Sequence, residues 1–279
     1  PSDGKGTLPE LNVRGKIIPA NSYRISVTMR RVRDLEKGMP EKPRSTLSAN
    51  PTDLSDFVNY SGGAKGYDSI WADKTKAVNL GKQVHYKTNV LSRLTKEQRT
   101  EVENAYQQSV RDLGRRPLPY NWDNPQRADY AGGLVRRDYL QAKAGDAIFA
   151  ISDIILSSEK GKASKGVRYP NRTGKPIVDG GTGYAVQMGI NLGKPVYVYH
   201  QGTNSDNSTA VGWYKYTNGK FVKTETPKLT PKFTSIGSRE PNENGKKAID
   251  DVIAATLSNT NESNFNQNIE LFIESILPE

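Results

Sequence analysis

Two glycine-rich stretches carry the residue types whose spacing most clearly suggests chemistry. The first, Ser61-Gly62-Gly63-Ala64-Lys65-Gly66, follows an alternating stretch and precedes a helical pattern. Three glycines within five positions let the backbone turn sharply and approach a ligand without an interfering Cβ. The helix that follows would direct its N-terminal amides, and the positive end of its dipole, at the turn. The spacing therefore predicts a site for a phosphate or a ribose phosphate.

A second stretch, Asp179-Gly180-Gly181-Thr182-Gly183, repeats this arrangement more than a hundred residues later. Two such turns in one chain are far less expected by chance than one, so each strengthens the interpretation of the other. For both, the alternative is a tight structural turn that binds nothing. The residues predicted to hold phosphate are the glycines of the two turns and the adjacent hydroxyl residues: Ser61, Gly62, Gly63, Gly66, Gly180, Gly181, Thr182 and Gly183.

Charged residues near these turns have two interpretations each. Lys65 is either a phosphate partner or an exposed residue at the tip of a loop. Asp68 falls in the first turn of the following helix, where it either binds ribose hydroxyls or caps the helix. Ser238 and Arg239 follow a strand pattern over 233–237 and form a third candidate turn. Arginine suits bidentate phosphate contact, with pairing to Asp68 as the structural alternative.

Aromatic residues and histidines give weaker signals. Trp213, Tyr214 and Tyr216 could stack on a nucleotide base, but hairpin aromatics more often pack across strands. His85 and His200 have no catalytic partner evident in the sequence. The chain contains no cysteine, which excludes disulfides and thiolate chemistry, and two histidines do not suggest a histidine-rich metal site. No cofactor is predicted.

Composition points to a polar protein with anionic partners. The 279 residues suffice for one large domain or two small ones, and a hydrophobic content of 34% predicts long polar loops or a loosely attached arm. No run of about eighteen apolar residues predicts a membrane span. The first residues lack the apolar segment of a secretory signal, so we expect a cytoplasmic location.

Half of the net charge of +10 lies in the first fifty residues, which are therefore more basic per residue than the rest of the chain. The first fifty residues carry ten Lys and Arg against five Asp and Glu. Such an arm could contact the phosphates of single-stranded DNA, or it could be a solvated extension. A strand pattern over 23–29 and a linker over 36–52 are predicted within it.

The remaining elements would position the glycine turns. Asn218-Gly219 predicts a tight hairpin between two of the strands. Thr95 and Gln98 form a capping-box pattern that opens a polar helix. The predicted strands cover 83–87, 146–152, 195–199, 213–216, 220–222 and 233–237; the predicted helices cover 67–80, 95–113, 131–144, 183–192, 245–257 and an amphipathic stretch over 269–277, with loops over 115–130 and 157–175.

Strand, glycine turn and helix recur, which predicts an α/β fold with a doubly wound, mostly parallel sheet and a small β-hairpin insertion. Ligands of such sheets bind at the carboxyl ends of the strands. The three turns, at 61–68, 179–184 and 237–240, should therefore converge.

The three motifs resemble those of the Rossmann-like superfamily that joins DNA-processing protein A (Smf), the Lonely Guy phosphoribohydrolases and nucleotide-sensor domains, often abbreviated SLOG. Ser61-Gly62-Gly63-Ala64-Lys65-Gly66-x-Asp68 looks like its signature, and the stretch over 179–183 is similar to its second glycine motif. The stretch over 233–240 resembles the first strand and turn of DNA-processing protein A and its phage relatives. The resemblance covers roughly 54–258.

In those relatives the Gly-Ser-Arg strand comes first, whereas in this chain its counterpart follows the other motifs. The resemblance therefore implies a circular permutation, which is acceptable where old termini lie close together on the surface. The domain organisation that we expect is a basic arm and linker over 1–52, a SLOG-like domain over 53–260 and a helical tail over 261–279; the resemblance accounts for the domain and leaves the arm and the tail unexplained.

The resemblance also implies constraints on function. Lonely Guy enzymes carry acidic residues just after the second glycine motif, where this chain has Val186 and Gln187. That departure makes their hydrolase activity doubtful. Arg137 could match a ligand-facing arginine of the superfamily, or belong to a solvated helix face.

Three functions follow as expectations. The first is a module that binds a nucleotide or an ADP-ribose-like ligand without hydrolysing it. The second is a DNA-binding protein that uses the basic arm and the 157–175 loop. The third is an enzyme that cleaves nucleotide glycosidic bonds with a carboxylate such as Asp68 or Asp179. The sequence leaves open whether the protein forms a homo-oligomer.

A C-terminal Leu277-Pro278-Glu279 is similar to cleavage sites of tailed-phage prohead proteases, and Leu8-Pro9-Glu10 fits the same pattern. A processed internal phage protein, in the host cytoplasm or the virion, is therefore a further expectation.

Overall fold

A computed structural model describes the backbone of 11–13 and 16–18, together with residues 54–124, 130–155, 175–203 and 209–258. The chain divides into two compact units, Pro1–Ala49 and Asn50–Glu279. In the first unit, strand β1 (Leu11–Val13) pairs antiparallel with β2 (Lys16–Ile18). Several predictions lie outside the described residues: the strand over 23–29, the linker over 36–52, almost all of the 157–175 loop and the helix over 269–277.

The second unit is built on a seven-stranded sheet. Its strands are β3 (Val58–Ser61), β4 (Lys82–His85), β5 (Ala147–Ser152), β8 (Val196–His200), β9 (Gly212–Thr217), β10 (Lys220–Lys223) and β11 (Lys232–Gly237). They lie in the order β10-β9-β8-β5-β11-β3-β4. The five strands from β8 to β4 are parallel, and β9 and β10 add an antiparallel hairpin at one edge.

Helices cover both faces of this sheet. They are α1 (Tyr67–Ala77), α2 (Lys96–Asp112), α3 (Tyr130–Ala144), α4 (Thr182–Asn191) and α5 over 243–258, with 3-10 turns at Leu54–Asp56 and Thr88–Arg93. One core joins α2, α3 and α4 to the sheet, and the other joins α1 and α5 to its opposite face. The fully buried strand β5 supplies Ile148 to the first core and Phe149 to the second. This is an α/β architecture with a mostly parallel sheet, as predicted, and it is compatible with a Rossmann-like fold.

Local signals in the sequence account for several of these elements. Thr95 and Gln98 make both hydrogen bonds of a capping box at the start of α2. Asn218 and Gly219 both have positive φ angles, 50° and 80°, which match the twist of the β9–β10 hairpin. Both predictions are confirmed.

The buried face of α1 includes two polar residues. It consists of Tyr67, Asp68, Trp71 and Thr75, whereas Ala77 and Val78 at the end of the helix are exposed. Thr75 is tolerated in the core because its hydroxyl donates to the Trp71 carbonyl oxygen at 2.7 Å.

The sequence also missed a short antiparallel pair, β6 (Ile154–Ile155) and β7 (Ile177–Val178), which branches from the end of β5. Each strand has only two residues, which is too short for an alternating pattern to appear. No helix in the described part of the chain is long and apolar enough to cross a membrane.

Candidate functional site

All three candidate turns lie at the carboxyl edge of the parallel sheet. The first turn follows β3 and the third follows β11, its neighbour, and the two touch where the Tyr67 amide donates to the Ser238 carbonyl oxygen at 3.2 Å. The Ser238 amide in turn donates to Ile151 on β5 at 2.9 Å. The second turn follows β7, where the Asp179 amide donates to the Asp153 carbonyl oxygen at 2.9 Å. The ends of β3, β11 and β5 therefore form one continuous edge.

The first turn needs glycine because other parts of the protein fill the space around it. Gly66 has a φ of +112°, and a Cβ there would lie 2.6 Å from the Ser238 carbonyl oxygen. A Cβ on Gly62 would overlap the guanidinium of Arg137. Gly63 has a φ of +61° and lies against the ring of His85. Packing and backbone conformation therefore account for glycine at these three positions without a ligand.

Two amides of the first turn already donate hydrogen bonds to a buried carboxyl group of the protein itself. Asp68 is 3% exposed, and its carboxylate accepts hydrogen bonds from the amides of Ala64 at 3.3 Å, Gly237 at 3.2 Å and also Gly62. The Gly63 amide donates to the Ser61 hydroxyl oxygen at 3.3 Å. Burial raises the pKa of Asp68, and the nearby Arg137 and these amides oppose that rise. Asp68 therefore links the first turn to the third turn, which is a larger structural role than capping a helix.

Arg137 lies beneath the first turn and is 3% exposed. Its Nη1 donates to the Tyr86 carbonyl oxygen at 3.0 Å and to Gln141 Oε1 at 3.1 Å, and its Nε lies 3.5 Å from Asp138 Oδ1. The alternative of a solvated helix face is therefore wrong. Burial raises the pKa of Asp138 to about 7; the attraction of Arg137 opposes this rise, and the repulsion of Asp68 adds to it.

The second turn differs from the first at Gly180 and Gly181. Apart from their chain neighbours, no atom of the described residues lies within 4 Å of the position that a Cβ would take on either glycine. Gly180 has a φ of +64°, and Gly181 has a φ of −59° and leads directly into α4, a helix of ten residues. No described residue accepts a hydrogen bond from the amides of Gly181 and Thr182. These amides can receive an external acceptor.

An arginine that the sequence analysis left in a loop holds this second turn from beneath. Arg115 is 4% exposed, and it donates from Nη1 to the Gly180 carbonyl oxygen at 2.7 Å and from Nη2 to the Val178 carbonyl oxygen at 3.1 Å. Its guanidinium carbon lies 4.5 Å from the ring centre of Tyr184. A Cβ on Gly183 would lie 2.8 Å from Nη2, so Gly183 makes room for the guanidinium.

The signal for Arg115 was present at the end of α2. Gly114 has a φ of +61° and donates to Arg111, and the Arg115 amide donates to the Val110 carbonyl oxygen at 3.0 Å. This pair of bonds is a Schellman motif, which reverses the chain at a glycine just after a helix. The motif turns residue 115 back toward the body of the domain.

Two buried carboxyl groups lie beside the second turn. Asp153 is 5% exposed and Asp179 is 6% exposed. Burial raises the pKa of Asp153. The Thr203 amide, which donates to its Oδ1 at 3.1 Å, lowers it, and the charge of Asp179 raises it further. His200 Nδ1 lies 3.5 Å from Asp153 but accepts the Ile154 amide at 3.0 Å, so that nitrogen carries no proton and the contact is not an ion pair.

The third turn is tied to the end of β8 through Gln201. Gln201 donates to the Ser238 hydroxyl oxygen at 3.2 Å and accepts from the Tyr67 hydroxyl at 2.7 Å. Arg239 and Lys65 are exposed at this edge. The cation whose charge lowers the pKa of Asp68 is Arg137.

The hairpin aromatics predicted as a possible stacking surface pack within the fold. Trp213 is 3% exposed and lies edge-on to Phe149 and Tyr199, while Tyr214 is 8% exposed and its hydroxyl donates to Ala210. Tyr216 packs edge-on against Phe221. These contacts match the cross-strand alternative.

Within the ranges that the structure describes, no group of three or more histidine and acidic residues is placed to hold a metal ion. Comparisons of the chain with models of protein families, with curated proteins and with solved structures gave no match.

Proposed function

We propose that this protein binds a nucleotide or an ADP-ribose-like ligand, with a phosphate of the ligand at the N-terminus of α4. The observation that carries the proposal is the open second turn, where the Gly181 and Thr182 amides have no acceptor among the described residues. Free amides at the positive end of a helix dipole favour an anion. The buried guanidinium of Arg115, directly behind this turn, adds positive charge.

The neighbouring carboxyl groups suit the sugar of such a ligand. Asp153 and Asp179 lie at the same edge, and carboxylate oxygens accept hydrogen bonds from ribose hydroxyls. The residues after the second turn offer no further acid: Val186 is buried, and the Gln187 side chain donates to Asn191 at 2.9 Å. These positions favour binding over a Lonely Guy-type hydrolysis.

The strand order supports a permuted member of the SLOG superfamily. When the strands are counted from β11, through β3, β4 and β5 to β8, their order across the sheet becomes 3-2-1-4-5. This is the order of the Rossmann fold, whose ligands bind where the order reverses. In this chain the reversal falls between β11 and β5, next to the second and third turns.

The test compares Gly181→Asp with Gly181→Asn, which differ in charge but hardly in shape. Binding of AMP, ADP-ribose, NAD and inorganic phosphate would be measured by calorimetry and by thermal shift. We expect at least one nucleotide to bind the wild type, Gly181→Asp to weaken that binding more than about tenfold through charge repulsion, and Gly181→Asn to weaken it much less.

A short single-stranded DNA serves as the opposing probe because of the basic first fifty residues. Stabilisation by DNA alone, equal in the wild type and in Gly181→Asp, would overturn the proposal. Equal nucleotide affinity in all three proteins would also overturn it, because the ligand would then lie elsewhere.

A further inference from the structure

The second glycine turn is supported by one buried side chain from a distant part of the chain. Arg115 donates to two carbonyl oxygens on either side of Asp179, those of Val178 and Gly180. The Gly180 oxygen also accepts the Gly183 amide at 3.3 Å, which is the first bond of the following helix. Arg115 thereby fixes the carbonyls on the inner side of the turn.

We infer that Arg115 is a positioning residue that holds the second turn with its amides directed outward, ready for an anion. A peptide unit cannot turn its carbonyl inward without turning its amide the other way, because the unit is planar. The Gly180 carbonyl, fixed by the guanidinium, therefore sets the orientation of the Gly181 amide. The Val178 carbonyl sets that of the Asp179 amide, which donates to the Asp153 carbonyl oxygen and anchors the strand side of the turn. This inference rests on the proposed phosphate site and adds the residue that builds it.

The geometry requires arginine in particular. The planar fork of the guanidinium reaches both carbonyls at once, whereas a lysine ammonium is a compact point charge on a flexible stem. The flat face of the group lies on Tyr184, which stacks on Tyr106 with ring centres 5.8 Å apart. Gly183 leaves room for Nη2. Arg115 is thus held on three sides and stays in place without a ligand.

Arg136 offers a matched control in the same core. It is also 4% exposed, and its guanidinium carbon lies 4.0 Å from the ring centre of Tyr106. Its charged partner is Glu103, with Nε to Oε2 at 2.6 Å, and none of its hydrogen bonds within the described residues reaches the second turn. Arg136→Lys therefore disturbs a buried, ring-stacked arginine of the same kind without touching the proposed site.

The experiment compares Arg115→Lys and Arg136→Lys in two measurements on the full chain. The first is hydrogen exchange of the Gly183 and Tyr184 amides without ligand, which donate to Gly180 and Gly181 in the first turn of α4. The second is AMP affinity by calorimetry. We expect Arg115→Lys to speed exchange at these two amides relative to the rest of α4, and to weaken AMP binding at least about tenfold, the effect of losing one charge-assisted hydrogen bond. Arg136→Lys should leave both quantities within about twofold of the wild type.

Equal exchange rates at Gly183 and Tyr184 in the two variants would overturn the inference, whatever the affinities. If the wild type binds no nucleotide, the proposed function fails, while the exchange rates still decide whether Arg115 orders the turn. If the wild type binds AMP and both variants bind it equally well, the proposed ligand site is supported and the positioning role of Arg115 is contradicted.

Discussion

The two glycine turns look alike in sequence but differ in what surrounds them. In the first turn, each glycine faces another part of the protein, and the amides of Gly62 and Ala64 are bonded to the carboxylate of Asp68. In the second turn, no described residue outside the turn fills the space beside Gly180 and Gly181, and the Asp179 amide donates to the Asp153 carbonyl oxygen on the strand side.

The difference shows that the same backbone motif can have two roles, one structural and one open to an external ligand. A nest of amides at a helix N-terminus attracts an anion, and a carboxyl group of the protein can take the place of that anion. The Asp68 carboxylate occupies the first nest and fastens the third turn to it through Gly237. The second nest has no such internal partner among the described residues and is held by a cation, Arg115, from behind.

The largest expected effect separates the two turns by their need for glycine. Gly66→Ala places a Cβ 2.6 Å from the Ser238 oxygen at a φ of +112°, so we expect the free energy of unfolding to fall by about 3 kcal/mol. Gly181→Ala should change it by less than about 0.5 kcal/mol, since the space is open and the φ is helical. Chemical denaturation measures both. Equal losses of unfolding free energy in the two variants would show that the two turns do not differ in their need for glycine.

The next effect tests the Asp68 carboxyl group as the internal acceptor for the amides of the first and third turns. Asp68→Asn keeps the shape of the side chain but turns one acceptor into a donor that faces the bonded amides. We expect the free energy of unfolding to fall by about 2 kcal/mol, the cost of leaving buried donors unsatisfied. Hydrogen exchange of the Gly237 amide should speed up in parallel. An unchanged Gly237 amide would show that Asp68 does not fasten the two turns together.

A smaller effect compares two glycines at opposite ends of α4. Gly180 and Gly193 have φ angles of +64° and +69°, and in the part of the chain that the structure describes neither has an atom within 4 Å of the position that a Cβ would take, chain neighbours apart. Each replacement by alanine should therefore lower the free energy of unfolding by a similar amount, roughly 1–2 kcal/mol, the cost of the left-handed conformation. Only Gly180→Ala should weaken AMP binding. Equal affinities would place the anion away from the second turn.

The smallest expected effect concerns pH and the cluster beneath the first turn. Burial raises the pKa of Asp138 to about 7, well above its value in an unfolded chain, so the folded state holds a proton more tightly. Its contribution to stability is therefore present at low pH and is lost as the pH rises through 7. Between pH 6 and pH 8 this should lower the free energy of unfolding by roughly 1 kcal/mol.

Asp138→Asn should flatten that slope, whereas replacing the exposed Asp73 by Asn should not. Asp68 also has a raised pKa and faces the same guanidinium, so some slope remains in the variant. Identical slopes in the wild type and Asp138→Asn would mean that Asp138 does not titrate in this range.

The sequence predicted the elements well because their signals are local. The capping box at Thr95, the Asn218-Gly219 hairpin and the apolar strand around Phe149 all depend on neighbouring residues. The positions of the glycine turns followed for the same reason. The sequence also predicted the class of sheet, since strand and helix patterns alternate along the chain.

What the sequence could not predict depends on contacts between distant residues. Arg137, which belongs to α3, lies against Gly62 in the first turn, and Arg115 bonds to Gly180, 65 residues further along the chain. Whether an amide is free or bonded to Asp68 depends on these contacts, and no periodicity encodes them. The two glycine turns therefore received the same prediction and have different surroundings.

The position of β11 has a consequence for how the chain folds during synthesis. β11 is the last described strand along the chain, yet it separates β3 from β5 in the sheet. Until residues 232–237 leave the ribosome, the inner edges of both strands lack the partner that closes the sheet. Non-local pairing of this kind slows folding and leaves unpaired edges open to aggregation. A nascent chain that stalls before Lys232 would therefore expose two half-sheets and depend on chaperones to stay unaggregated.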